Sequence, residues 1–300
     1  MSRNTRHTLA KIVAGWESFA VGLCLILGLS NSVNAQDTKP KYSVTDFFSE
    51  SKVAELAEAG RNGDLATIDR LVKENKVDVN SRGREGLTPL IYALSGKSLA
   101  GFLRLLEHGG DPNLQTDRGW SAVGLAAERK DPEALKLVLS HGGNPNLRVE
   151  CPKSTPLIEY SVLDPTPLYN SIHGRSPRSA RLLIKAGADL NASDSDTRKR
   201  TPLMLAALDM SFDVMHVLLE AGADFRAADI KGYSVAHYLI ESTVNDEASE
   251  LGRSRQKCVD FLIHHGVDFE KEKVSLAEVK RREQESVKAE EKRLRGEVVK

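Results

Sequence analysis

The sequence predicts an all-α solenoid of stacked helix–turn–helix units joined by hairpin-like loops. Three observations carry that expectation. A helix-start pair, Thr88-Pro89, recurs as Ser121-Ala122, Thr166-Pro167, Thr201-Pro202 and Ser234-Val235. A glycine just past an apolar run, Gly109, recurs as Gly142, Gly187, Gly222 and Gly266. Start to glycine is 21 residues in four copies and 32 in the last, and successive starts lie 33, 45, 35 and 33 residues apart. The register is therefore 33 with insertions.

Each signal has a physical cause. A hydroxyl at the N-cap accepts a bond from an orphan backbone N–H, and proline at the first helical position gives up no donor the helix needs. Glycine adopts the left-handed conformation that ends a helix. Between them is room for two short antiparallel helices, a unit that cannot bury its own apolar face and so requires copies. The period and the Thr-Pro-Leu triplets at Thr88, Thr166 and Thr201 resemble the ankyrin repeat, with a 33-residue period and a Thr-Pro-Leu-His-x-Ala signature. The resemblance spans residues 53–270 and amounts to about six repeats, counting a degenerate N-terminal one.

Taken in order, residues 1–35 follow a different logic. Arg3, Arg6 and Lys11 precede an 11-residue apolar core from Phe19 to Leu29, and Val33-Asn34-Ala35 precedes Gln36. This reads as a secretory signal cleaved between Ala35 and Gln36. The competing reading is an uncleaved membrane anchor, but the run is shorter than the roughly 20 residues that span a bilayer. Either way the positive end stays inside and the repeats pass out of the cytoplasm. The expected location is periplasmic or secreted, with the membrane met only in transit. Cys24 lacks the small-residue context of a lipid-attachment site.

Residues 36–52 form a polar lead and the start of a capping helix, with Asp46, Phe47, Phe48, Val53 and Leu56 reading as one helix from Thr45. Gly63 to Asn80 is the degenerate first repeat, its helix–helix turn at Asn62-Gly63-Asp64. A polar first repeat suits the open end of a stack. Two inserts follow. Residues 148–165 carry a 12-residue excess with Cys151, Pro152, Pro156 and Pro165, so an exposed loop is expected. A second Thr155-Pro156-Leu157 lies there, but Gly187 puts Thr166 in register. The other insert, near 242–255, separates the helices of the last repeat. Residues 271–300 carry 10 basic and 7 acidic side chains and read as a charged C-terminal helix or tail, with Val274, Leu276, Ala277 and Val279 capping the last repeat and Lys280 to Lys300 a solvated, partly frayed helix.

Composition narrows the function classes. The 300 residues are 40% hydrophobic and 28% charged, ordinary globular material, and the formal charge is zero. Without residues 1–35 the balance is 39 basic against 41 acidic. Neither sign is in an excess that points to nucleic acid. No phosphate loop, zinc-type histidine pair or nucleophile elbow is present, and neither cofactor, small-molecule substrate nor metal is expected. His108, His141 and His265 each precede a closing glycine, where a cation meets the helix C-terminal dipole. Equivalent positions of stacked repeats lie about 10 Å apart, whereas two zinc ligands must each lie about 2 Å from the ion. His237 stands at the signature histidine position, which Ile91, Gly124, Tyr169 and Met204 occupy elsewhere, and is read as structural. Cys258 shares its register with Gly101, Ala134, Ser179 and Val214, which marks a helix–helix contact. It belongs two repeats away from Cys151, too far for a bridge.

The resemblance implies a monomeric, non-catalytic module that binds a protein partner through its concave face, hairpin tips and inner-helix ends. Carried over, the tips are Arg84, Glu85 and Leu87; Asp117, Arg118 and Trp120; and Ile230, Lys231 and Tyr233. The inner-helix ends are Ser95, Glu128, Arg129, His173, Leu208 and Asp209. Residues 192–200 have two extra residues and no turn glycine. Trp120 and Tyr233 are each either a staple onto the next repeat or an exposed anchor. The partner is an envelope or secreted protein, and neutralising a toxin as an immunity protein is the sharper form of that reading. An accessory or regulatory subunit of a periplasmic enzyme is the alternative.

Overall fold

The computed structural model describes residues 43–96, 98–148, 166–194, 198–242, 244 and 246–294. The cleavage site at Ala35–Gln36, Cys151 and nearly all of the first insert lie outside the described residues. Among those described, regular structure is helical apart from one isolated bridge between Ala228 and Ser234. The helices are α1 (Ser51–Asn62), α2 (Leu65–Asp69), α3 (Pro89–Ala93), α4 (Leu99–Glu107), α5 (Ala122–Glu128), α6 (Glu133–Ser140) and α7 (Pro167–His173). They continue as α8 (Pro177–Lys185), α9 (Pro202–Leu208), α10 (Phe212–Glu220), α11 (Val235–Glu241), α12 (Glu250–His264) and α13 (Phe269–Leu294).

The chain divides into two compact units, one of the described residues up to Ala126 and from Glu133 to Arg148, the other of Ala127–Pro132 and everything from Thr166 on. In the first, α1 packs on α3 and α4, and α4 on α2 and α6. In the second, the inner helices α7, α9 and α11 pack in succession, and so do the outer helices α8, α10 and α12. Each interface is filled by the apolar stripe the period dictates: Leu90, Phe102 and Leu105 in the first unit, Leu168, Leu183, Leu203, Phe212 and Leu218 in the second, all essentially inaccessible.

The helix signals act as their chemistry requires. Thr88, Ser121, Thr166, Thr201 and Ser234 each accept through Oγ from the backbone N–H three residues on, at 3.2–3.4 Å. The closing glycines take φ between 85° and 88°, open to glycine at no steric cost. The residue after each donates to the carbonyl five back, as Gly110 does to Leu105 at 2.9 Å, which ends the helix in a Schellman-type turn.

A second pattern ties repeats together. Asp78, Asp111, Asn144, Asp189 and Asp224 each accept, at 2.8–2.9 Å, the backbone N–H two residues on. At three of these steps the asparagine that follows reaches the next repeat. Asn80 donates to the Gly109 carbonyl (3.0 Å) and accepts from Asp111 N (2.8 Å); Asn113 does the same with Gly142 (2.9 Å) and Asn144 (2.7 Å). Asn191 accepts from Asp224 N at 2.9 Å.

The first repeat departs from the others in two ways. Asp46–Leu56 is not one helix: a 3-10 turn, Val44–Asp46, leads to extended backbone before α1 begins at Ser51. The cause is burial of Phe48, whose ring meets Tyr92 edge-on, while the Phe47 carbonyl accepts from Arg84 N at 2.7 Å. In its outer helix, cap Asp64 to Lys76 is one residue longer than cap Ser98 to Gly109, and the chain absorbs the extra residue as a π turn over Arg70–Glu74.

One other expectation needs correction. The second insert is partly helical: Ser249 caps α12 through Gly252 N (3.0 Å), so α12 has 15 residues where α8 and α10 have nine. Arg255 ties this extension to the Leu239 carbonyl at 2.8 Å. The C-terminal segment is helical, as its charge spacing suggests: α13 is one 26-residue helix packed on α11, with Leu276 buried. Cys258 is a buried free thiol donating to the Phe212 carbonyl at 3.3 Å, and burial pushes it up to about 12. Gly101, Ala134, Ser179 and Val214 are buried with it, and at Gly101 a Cβ would stand 2.1 Å from the Gly60 carbonyl.

Candidate functional site

The hairpin tips are closed by one recurring bond. Gly83 N donates to the Leu87 carbonyl (2.7 Å), Thr116 N to Trp120 (2.7 Å), Asp194 N to Arg200 (2.8 Å) and Asp229 N to Tyr233 (3.0 Å). The Asp194 tip spans the two extra residues seen in the sequence. Where the other tips use Gly86, Gly119 and Gly232 with positive φ, it places Lys199 at φ 54°. Asp194 is buried and holds Arg200 through both Nε (2.9 Å) and the backbone N–H (2.7 Å).

In the first unit the tips meet one another. Asp117 N donates to the Glu85 carbonyl (2.9 Å), Arg118 Nε pairs with Glu85 at 3.0 Å, and Arg82 pairs with Asp117 at 3.2 Å. Arg84, Glu85, Asp117 and Arg118 are exposed, whereas Leu87 is buried under the tip and offers a partner no surface. Trp120 is half-buried, with the Arg118 guanidinium 5.8 Å from its ring centroid.

The last tip is covered. Tyr233 is only 5% exposed and donates to Glu283 of α13 at 3.1 Å, Lys231 pairs with the same carboxylate, and Arg198 lies 3.5 Å from it. Burial and the adjoining Glu283 push Tyr233 up to about 12, while its donors hold Glu283 below the usual carboxylate range. Neither side of the staple-or-anchor alternative holds at Tyr233: it packs against the chain's own C-terminal helix. Ile230 remains 64% exposed beside it.

The inner-helix ends of the second unit gather into a polar patch. His173 Nε2 lies 3.7 Å from Glu128, and Arg175 donates to the Asp209 carbonyl at 3.1 Å. Arg129 contributes its carbonyl, which accepts from Ser179 Oγ at 3.2 Å. The repeats approach closely here, since a Cβ on Gly174 would stand 1.9 Å from the Glu128 carbonyl. Burial raises the pKa of Glu128, and burial together with Arg175 lowers that of His173. Asp209 is pushed up to about 6 by burial, with Arg175 and Arg200 opposing, and its Oδ2 is buried without a hydrogen-bond partner. Leu208, 42% exposed, adjoins it. Ser95, by contrast, is buried and donates to the Tyr92 carbonyl.

Of the residues singled out from sequence, then, Glu128, Arg129, His173, Leu208 and Asp209 form one neighbourhood and Arg84, Glu85, Asp117, Arg118 and Trp120 another. The sequence did not single out Arg175, and it left Arg198, in the 192–200 tip, unplaced. Arg175 has φ 49° at the helix–helix turn, and its position one residue after Gly174 was the available signal. His237 is 2% exposed: Nδ1 accepts from Ser234 N (3.2 Å), and Nε2 lies 3.0 Å from Glu272. Among the described residues no group of three or more His, Cys, Asp or Glu is arranged to hold a metal ion, and no helix is long and apolar enough to cross a membrane.

Comparison with known proteins places these features in context. The family model for ankyrin repeats (three copies) matches at residues 56–149, 95–194 and 153–229. Human inversin is 24% identical over 64% of this chain, and the mouse B-cell lymphoma 3 protein homolog is 28% identical over 64%. The chain spans 17% of the first protein's length and 38% of the second's. Among solved structures, the ankyrin repeat domain of Bcl-3 aligns over 71% of this chain and 86% of its own, with TM-score 0.54 and 24% identity. One chain of a complex between a predatory endopeptidase of Bdellovibrio bacteriovorus and an immunity protein aligns over 68% of this chain and 97% of its own, with TM-score 0.51 and 22% identity.

Proposed function

From the premise that this chain belongs to the ankyrin-repeat family, we propose that it is an exported, non-catalytic binding protein for an envelope or secreted protein. Ankyrin repeat domains mediate protein–protein interaction, and the fold is generally a scaffold rather than a catalyst. The observation that carries the reading is the Glu128–His173–Arg175–Asp209 patch. It keeps a carboxylate oxygen buried and unbonded at a repeat edge, an arrangement that costs folding free energy. Groups so perturbed cluster at functional sites. A partner donor to Asp209 and apolar cover for Leu208 would offset the cost.

The sharper form is an immunity protein that occludes a toxic enzyme. The signal-like segment ending at Ala35 supports a site of action outside the cytoplasm, and an immunity complex contains a chain of the same fold. The test uses the native host. Its mature protein should begin at Gln36 by N-terminal sequencing, and deleting the gene should sensitise cells to one of their own exported enzymes. A chain beginning at Met1 in the soluble cytoplasmic fraction would overturn export. A deletion that leaves cells unharmed while the chain co-purifies with an active envelope enzyme would replace immunity with an accessory role.

A further inference from the structure

The surface that covers the last tip is made of one narrow stripe of α13. Glu272 accepts from Ser234 Oγ at 2.9 Å and lies 3.0 Å from His237 Nε2. Leu276, four residues on, is buried at 5% exposure. Val279 follows, with its Cγ2 3.6 Å from where a Cβ on Gly232 would stand. Glu283 then sits among Lys231, Tyr233 and Arg198. The spacing is acid, three residues, apolar, two residues, apolar, three residues, acid: one face of a helix.

We propose that Arg198, Lys231, Tyr233, Ser234 and His237 form a receptor for an acidic amphipathic helix, and that α13 is its internal, displaceable occupant. The inference rests on the reading of the chain as a protein-binding module and names the partner chemistry of one of its surfaces. Three features of the contact support it. The receptor offers cations and hydroxyl donors to the two carboxylates, while Gly232 leaves room for an apolar side chain between them. The attachment is mainly polar, and partly exposed ion pairs of this kind hold weakly and are screened by salt. And α13 runs on to Leu294, past Glu283, with Val287 53% exposed. A partner helix that presents the same acidic-apolar-apolar-acidic face would compete for the site, so α13 limits binding to partners that fit it better.

The test uses the full chain and a fluorescein-labelled peptide of residues 268–294. Full-length protein carrying Glu272→Ala, Leu276→Ala and Glu283→Ala should bind the peptide, and wild-type protein should not, because its own helix fills the site. A peptide carrying Glu283→Gln should bind the variant about tenfold more weakly, the usual loss for one charge-assisted contact. A folded variant that ignores the peptide overturns the proposal, as does wild type binding as tightly as the variant. Should the triple variant not fold, Glu283→Gln alone should speed hydrogen exchange across residues 269–283 by roughly tenfold and leave α9 and α10 unchanged; unaltered exchange in α13 overturns it. No outside partner enters the measurement, so failure of the binding-protein reading leaves its outcome intact.

Discussion

Asp209 shows how a single buried carboxylate costs stability. A carboxylate whose folded pKa is raised from 3.8 to about 6 binds its proton more tightly in the folded chain than in the unfolded one. Stability from this group is therefore full below about pH 4 and is lost as pH rises through 6. Asp209→Asn removes the ionisation. It should match wild type at pH 4 and exceed it at pH 8 by up to about 3 kcal/mol, read from urea unfolding at each pH. A gap that does not widen between the two pH values would show that Asp209 is not held against ionisation. The same substitution should weaken partner binding, the usual exchange of activity for stability at a functional site. None of this was legible in the sequence, because perturbation depends on what Arg175, Arg200 and burial do in three dimensions. The caps at Thr88, Ser121, Thr166, Thr201 and Ser234 were legible, because hydroxyl, helix start and accepting bond all lie within three residues.

At the scale of the element, what the period could not convey is how one repeat grips the next. The asparagine of the Asp-x-Asn step was visible in Gly109 to Asn113, yet the bonds of Asn80, Asn113 and Asn191 to the following repeat span 29–33 residues. Asn113→Ala should cost about 1–3 kcal/mol, since it leaves the Gly142 carbonyl and the Asn144 N–H without their partner. Lys136→Ala, on the exposed face of the same repeat, should stay within about 0.5 kcal/mol. Equal losses in thermal melts of the two variants would reduce the asparagine link to decoration. The elements that departed from expectation do so for different reasons. Phe48, packed on Tyr92, turned the chain aside before α1, a contact distant in sequence outweighing local pattern. The early start of α12 is local, a cap from Ser249 to Gly252 N, with Arg255 tying it to the Leu239 carbonyl. The π turn at Arg70–Glu74 has a different origin: a cap-to-end count one residue too long.

For the molecule as a whole, the fold was legible because one signal is repeated, and five concordant copies exclude readings that a single Thr-Pro would not. The surfaces were legible only in part. Exposed Arg84, Glu85, Asp117 and Arg118 lie where the family resemblance put them, while Leu87 is buried and Tyr233 and Lys231 are engaged by α13. Register assigns a residue to a tip or a helix end but says nothing of a segment that returns from 50 residues away to cover it.

The central claim is that the chain binds a protein through its tips and inner-helix ends, and site-specific photo-crosslinking in the native host tests it directly. A photoreactive residue is placed in turn at Trp120, Glu128 and Leu208, and at Lys136 and Arg181 on the outer helices. One adduct of the same partner mass is expected from the first three positions and none from the last two. Adducts from Lys136 and Arg181, with Trp120, Glu128 and Leu208 silent, would contradict it.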